Sequence, residues 1–184
     1  MRFETSNPVL YQKVHPDMDF GSRIEHLRKA YTMGYLILTG GLIGLSGQSK
    51  EDILNDIYLA KELHAEMYSF GPFIPHPHTL LANQKPAQVE EVIKVLALAR
   101  FIGDPNAKIL VTTALETLSR DAAKNSLLAG ANSLMLNLTP LALRPLYSIY
   151  PNRAHQSEDV AVQIESAVSL LRSLGRAPTD LEVF

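Results

Sequence analysis

The stretch Tyr35-Leu36-Ile37-Leu38-Thr39-Gly40-Gly41-Leu42-Ile43-Gly44-Leu45-Ser46-Gly47-Gln48-Ser49 decides the fold. Tyr35 to Ile43 is a short apolar run bounded by Gly34 before it and Gly44 after it, which is the pattern of a buried strand. Beyond the glycine turn, Ser49 followed by Asp52 reads as a capping-box start. Ile53, Ile57, Ala60 and Leu63 then recur at steps of three and four through Glu62, so one face of a helix is buried. A strand feeding through a glycine turn into an amphipathic helix is one βα unit.

The same alternation continues downstream, and four such units are legible. Met67 to Phe70 is the second strand. It runs into Gly71-Pro72-Phe73-Ile74-Pro75-His76-Pro77-His78, whose three prolines forbid helix and disfavour a central strand, so a long shaped loop is expected. A helix follows over about Ala87 to Phe101, stopped by Gly103-Asp104-Pro105. Lys108 to Thr112 is the third strand, with a helix near Ser119 to Leu128 ended by Gly130. Ser133 to Leu136 is the fourth, and Asn137-Leu138-Thr139-Pro140 opens a short helix toward Tyr147. A last amphipathic helix, Glu158 to Leu174, carries Val160, Ile164, Ala167, Val168 and Leu171 on one face. Upstream, Ser22 to Met33 reads as a helix and Met1 to Glu4 as the tail of a strand. Repeated βα units form either an open doubly wound sheet or a closed (β/α)8 barrel, and four units are half of a barrel. In both architectures the chemistry lies just beyond the carboxyl ends of the strands.

Composition narrows the function. The 184 residues predict a single domain over 1–184, and 46% hydrophobic with 20% charged residues is the balance of a compact globular chain. A net charge of −2 and a pI near 6.3 provide no basic field for a phosphate backbone, so nucleic acid is not expected as a partner. The absence of cysteine excludes disulfides, zinc thiolates, a thiol nucleophile and an iron–sulfur cluster ligated from within this chain. No apolar run is long enough to span a membrane, and Arg2 and Glu4 follow Met1 where a signal peptide would be apolar, so no membrane association and a cytoplasmic location are expected.

The candidate chemistry at the strand ends is open to two readings at each position. The Gly41 to Gln48 turn allows close approach of a ligand to backbone, or is a packing turn. His76 and His78, with His64 upstream, suggest a metal site, yet no third ligand falls at a suitable spacing, and the expectation is no metal. Glu4 is a charge where a ligand would sit, or an ion-pair partner for Arg23. Glu116, beyond Thr112 and Thr113, is a base or a salt bridge. Tyr147 and Tyr150 reach a pocket with their hydroxyls or pack under the last helix.

Several stretches together resemble the radical S-adenosylmethionine (SAM) enzymes, in the HydE-like branch of FeFe-hydrogenase maturases, with methylornithine synthase and biotin synthase as relatives. Arg2-Phe3-Glu4-Thr5-Ser6-Asn7-Pro8 resembles the family's R-x-E-T-x-N segment. Gly41-Leu42-Ile43-Gly44-Leu45-Ser46-Gly47-Gln48-Ser49 is similar to its G-x-M-V-G-L-P-G-Q-T turn. Gly71 to Asn83 resembles G-P-F-I-P-H-P-D-T-P-L-A-N, the most specific of these matches. Thr112-Thr113-Ala114-Leu115, Ala129-Gly130-Ala131-Asn132, Asn137-Leu138-Thr139-Pro140 and Leu146 to Pro151 follow in family order. Departures are Ser46 for Pro, His78 for Asp, Leu80 for Pro and Glu116 for Gly. His155, Gln163 and Ser166 stand where some members carry cysteines for an auxiliary cluster.

The resemblance implies a fold and a set of roles. The fold is α/β, the C-terminal half of a (β/α)8 TIM-type barrel: the fourth strand's end, units five to eight and a C-terminal helix. The first half, with the C-x3-C-x2-C loop for the four-iron four-sulfur cluster, lies outside this sequence, so the chain alone is expected to be inactive and to be a fragment or a split subunit. Arg2, Glu4, Thr5 and Arg23 are implied to bind SAM, Glu4 at its amino group or ribose and Arg23 at its carboxylate. Met67, Thr112, Thr113, Met135, Tyr147 and Tyr150 are implied to line the cavity for a small-molecule substrate. The implied function is a part in assembling the FeFe-hydrogenase active-site cluster. The alternatives are a methylornithine-synthase-like or biotin-synthase-like enzyme, or a non-catalytic half-barrel that needs a separate cysteine-bearing partner. The missing half-barrel is the implied partner, and exposed strand edges imply self-association.

Overall fold

The computed structural model describes residues 1–147 and 149–179. Helix α1 (Pro8–Val14) and helix α2 (Phe20–Thr32) come first, then strands β1 (Leu38–Thr39) and β2 (Leu42–Ile43) and helix α3 (Lys50–Glu62). Strands β3 (Met67–Tyr68) and β4 (Gly71–Pro72) lead to helix α4 (Val89–Ile102), and β5 (Lys108–Val111) to α5 (Thr113–Leu118) and α6 (Ala122–Leu128). Strand β6 (Ser133–Leu134), a 3-10 helix over Leu141–Tyr147 and α7 (Val160–Ser173) complete the chain.

All strand pairs are parallel, in the order β1-β3-β5-β6, with β2 beside β4 and Glu4 bridged to Gly41 at the near edge. Spatial order therefore follows chain order without a reversal. A doubly wound sheet requires a switch point where the order turns back. Successive addition on one side is the winding of a barrel, and four units of it form half of one.

Alternation along the strands sets two faces. Phe3, Ile37, Tyr68, Phe70, Ile109 and Val111 are buried in one cluster with Ile53, Ile57, Val92, Leu96 and Ala123 of the helices, so the outer face carries the core. The opposite face keeps Leu36 75% and Leu38 37% exposed, and Met135 likewise at 37%. These apolar side chains face the inside of a barrel that these residues do not close.

Several sequence expectations shift for identifiable reasons. The run from Tyr35 to Ile43 is two short strands rather than one, because Gly40 has a φ of 151° and lies against Ser69, where an added Cβ would come within 2.3 Å of the Ser69 carbonyl oxygen. Pro72 pairs in β4 although it cannot donate; Phe73 supplies the next amide, to the Ile43 carbonyl at 2.8 Å. Sequence reading missed α1, which Pro8 starts under an Asn7 cap, and α5, which Thr112 caps by accepting from the Leu115 amide. The helix expected over Ser119 to Leu128 is α6 alone. The Ser49 and Asp52 capping box forms as expected. On α7 the expected apolar stripe is only partly buried: Val160, Ala167, Val168 and Leu171 are half-buried and Ile164 is exposed, while Gln163 is the helix's buried residue.

Candidate functional site

The site is built at the carboxyl ends of the strands, starting from Glu4. Phe3 is fully buried and fixes this segment on the core, which leaves Arg2 and Glu4 partly exposed on either side of it. Glu4 has a φ of 72°, a left-handed conformation that a non-glycine residue holds only where its surroundings impose it. Its amide donates to the Gly40 carbonyl at 3.1 Å and its carbonyl accepts from Leu42 at 2.8 Å. Gly41 has no Cβ where one would lie 2.7 Å from the Glu4 carbonyl oxygen. The Glu4 carboxylate pairs with the Arg2 guanidinium at 2.9 Å, and the same Arg2 nitrogen donates to the Gly41 carbonyl at 3.0 Å.

Arg23 reaches this corner from α2. It donates to the Arg2 carbonyl at 3.0 Å and to the Tyr11 hydroxyl at 2.8 Å, and its guanidinium lies 5.8 Å from the Tyr11 ring centre. The ion pair of Glu4 with Arg23 does not form; Arg2 takes that carboxylate. Among the described residues Arg23 has no carboxylate partner. Thr5 is fully buried, and its hydroxyl accepts from the Asn7 amide at 3.2 Å.

The glycine turn is held by Gln48. Its carbonyl accepts from the Gly44 and Leu45 amides at 2.9 and 3.3 Å, and its amide donates to the Leu42 carbonyl at 2.9 Å. Asp56, on the buried stripe of α3, accepts from the Ser6 amide and, at 3.4 Å, from Gln48. Burial pushes its carboxyl up to about 6, against the hydrogen bonds from Ser6 and Gln48 that pull it down.

The residues expected around a substrate are placed less uniformly. Leu110 lies opposite Ser133 and Val111 opposite Leu134, so the next step puts Thr112 level with Met135. Met67 lies opposite Lys108, four residues earlier along β5, or about 13 Å lower at 3.3 Å per residue. The two methionines therefore sit in different layers. The Thr112 hydroxyl is turned to its own helix, while the buried Thr113 hydroxyl has no partner. Tyr147 is 58% exposed, and Tyr150 is half-buried, with burial pushing its hydroxyl up.

The strap from Asn137 to Asp159 that carries both tyrosines is tied down by Arg144, 2% exposed. Its guanidinium donates to the carbonyls of Asn137, Thr139, His155, Gln156 and Glu158 at 2.5 to 3.3 Å. His155 sits between Glu158 at 2.7 Å and Glu116 at 3.3 Å. Burial pulls the imidazole down, but the two carboxylates outweigh it and raise its value, while burial raises Glu116. Glu116 is thus a salt-bridge partner. Sequence reading missed Asp56, Gln48 and Arg144 as anchors. The signal for Asp56 is a carboxylate inside the apolar stripe Ile53, Ile57 and Ala60; Arg144, between Leu143 and Pro145, carries none. His76 and His78 are neighbours, 5.3 Å between ring centres, whereas His64 stacks on Tyr31 at 4.6 Å.

This geometry has known counterparts. The chain is 37% identical over 178 residues to the FeFe hydrogenase maturase subunit HydE of Thermotoga maritima, covering 97% of this chain and 51% of that protein. It is 33% identical over 129 residues to a biotin synthase of Clostridium botulinum, covering 70% of this chain and 39% of the other. The chain belongs to the radical SAM superfamily. A solved structure of methylornithine synthase (PylB) superposes with a TM-score of 0.77 at 23% identity, over 97% of this chain and 51% of that one, and carries the fold. No family model matches. The radical SAM chain described here spans about half the length of its HydE relative and a smaller share of the biotin synthases. Among the described residues no helix is long and apolar enough to cross a membrane.

Two groups that the superfamily implies fit this chain differently. A thiolate-ligated iron–sulfur cluster finds no ligand in a sequence without cysteine. SAM carries an ammonium and a carboxylate. Glu4 and the carboxylate-free Arg23, both bonded to Arg2, fit that pair of charges; the adjoining glycines pack against the chain itself, Gly41 on Glu4 and Gly44 on Ala87.

Proposed function

We propose that this chain is the C-terminal half of a HydE-like radical SAM barrel that acts in assembly of the FeFe-hydrogenase cluster. In this reading SAM binds at the carboxyl ends of the strands. The observation that carries it is the corner where Glu4, held left-handed, and Arg23, without a carboxylate partner, meet through Arg2. Glu4 takes the ammonium or ribose and Arg23 the carboxylate, with Arg2 and Thr5 fixing the segment. When bound to a cluster supplied by the complementary half, SAM furnishes the oxidising group for the reaction. The residues of this chain bind and orient it and exclude water. Thr112, Thr113, Met135, Tyr147 and Tyr150 line the substrate space at the strand ends, with the strap over it, whereas Met67 belongs to a lower layer of the barrel interior. The complementary cysteine-bearing half, on the same or a separate polypeptide, is the partner that covers Leu36, Leu38 and Met135. The 37% identity to HydE over nearly the whole chain favours the maturase over biotin synthase.

A chimera tests this assignment. The chain replaces the matching half of Thermotoga maritima HydE, and the product is assayed for maturation of an FeFe hydrogenase. Restored hydrogenase activity, lost in Glu4→Ala, is expected. A folded chimera that binds its cluster but gives no maturation, while the same chain grafted onto biotin synthase yields biotin, overturns the maturase reading.

A further inference from the structure

Asp56 is the only fully buried carboxylate among the described residues, and no role assigned above uses it. It lies on α3 directly behind Gly41: a Cβ built there would come within 3.3 Å of its Oδ2. One oxygen accepts from the amide of Ser6, two residues beyond Glu4. The other accepts from Gln48, whose side chain also grips Leu42, Gly44 and Leu45. A single side chain thus joins the Glu4 segment to the glycine turn, the two stretches that flank the proposed SAM corner. The conformation of Glu4 requires such over-determination, because a left-handed φ at a non-glycine residue costs on the order of 1–3 kcal/mol. A carboxylate buried away from cations is costly, and the bonds it accepts from Ser6 and Gln48 offset that cost.

We propose that Asp56 is a positioning residue for SAM: it locks Glu4 and the Gly41–Gln48 turn in one relative geometry and so sets the affinity of the corner. This rests on the reading that SAM binds there. The polarity of the network is fixed, because the Gln48 carbonyl is committed to the Gly44 and Leu45 amides and only its NH2 faces Asp56. Asp56→Asn places an NH2 against that NH2 if Ser6 keeps its acceptor. Gln48→Glu places two carboxylates face to face. The double variant restores a donor opposite an acceptor and sacrifices only the bond to the Leu42 carbonyl.

The test measures SAM binding by calorimetry on the chain completed anaerobically with a cysteine-bearing half, in parallel with amide exchange of Ser6 and Gly44. Since misplacement by about 1 Å is expected to cost up to a hundredfold, each single variant should weaken SAM at least about tenfold, and the double variant should recover most of that loss. Both singles should also speed exchange at Ser6 and Gly44 together. Unaltered SAM affinity in folded Asp56→Asn, or a double variant no better than the singles, overturns the proposal. If the wild-type barrel binds no SAM, the SAM reading fails and the proposal with it. Coupled exchange at Ser6 and Gly44 then leaves Asp56 as a purely structural link, and uncoupled exchange removes even that.

Discussion

Arg144→Met removes a buried guanidinium from five backbone carbonyls while keeping an apolar side chain of comparable reach. Hydrogen bonds from a charged donor contribute about 1.5–3 kcal/mol each, and a buried acceptor left unmet costs about 1–3 kcal/mol. The five bonds are not additive, since three share one nitrogen and water reaches some of the freed carbonyls. Two carbonyls left unmet give a loss of about 3 kcal/mol. The loss should be local. No described residue of the strap between Asn137 and Asp159 belongs to either apolar cluster, so the strap opens while the sheet and helices hold. At about 1.4 kcal/mol per decade, amide exchange within 137–158 should rise on the order of a hundredfold. Peptides covering β3 and β5 should be unchanged, and hydrogen exchange read by mass spectrometry checks both. Arg144→Lys should open the strap nearly as far, because one ammonium cannot reach both the Thr139 and Glu158 carbonyls as a planar fork does. Unchanged exchange in the strap for Arg144→Met, or wild-type behaviour of Arg144→Lys, would refute the reasoning.

Gly40→Ala should lower stability by more than about 2 kcal/mol in urea unfolding, since its Cβ meets the Ser69 carbonyl; Gly47→Ala, at a φ of 88° in open space, should cost about 1 kcal/mol. Ser49→Ala should cost about 1 kcal/mol by loss of the capping box. Asp56 binds its proton more tightly folded than unfolded, so stability should fall as pH rises from about 4 to 6. A displacement of about two units makes this about 3 kcal/mol, and the slope should vanish in Asp56→Asn. Glu116 contributes in the same direction above pH 4.5. The raised His155 contributes stability that is complete below pH 6.5 and is lost as pH rises beyond its folded value. The isolated chain, with Leu36 and Leu38 uncovered and edges at Arg2–Glu4 and β6, should self-associate at micromolar concentration; a monodisperse monomer in sedimentation velocity contradicts this.

The helices were legible wherever burial and capping agreed. Ser49 with Asp52, and the three- and four-residue steps that follow, placed α3 to within a residue. Strand lengths were not, because a run such as Tyr35 to Ile43 reads as continuous while Gly40 must bend to pass Ser69. Periodicity also marked α7 as amphipathic without revealing that its stripe stays half exposed, since burial depends on a neighbour that the pattern cannot specify. Glu4 and Arg23 were visible as charges at a strand end and on the following helix. That Arg2 rather than Arg23 takes the Glu4 carboxylate depends on backbone geometry beyond the reach of spacing. Buried polar anchors were the least legible, because Asp56 and Arg144 are types usually found at the surface and only their partners explain them.

The central claim is that these strand ends form half of a SAM site. It is tested most directly by titrating SAM into the chain with and without an anaerobically reconstituted cysteine-bearing half-barrel, using isothermal calorimetry. The account predicts binding that appears only in the completed barrel and is lost in Glu4→Ala and in Arg23→Ala. Absence of binding in a completed barrel shown to be folded and to hold its cluster, or binding indifferent to both substitutions, would contradict it.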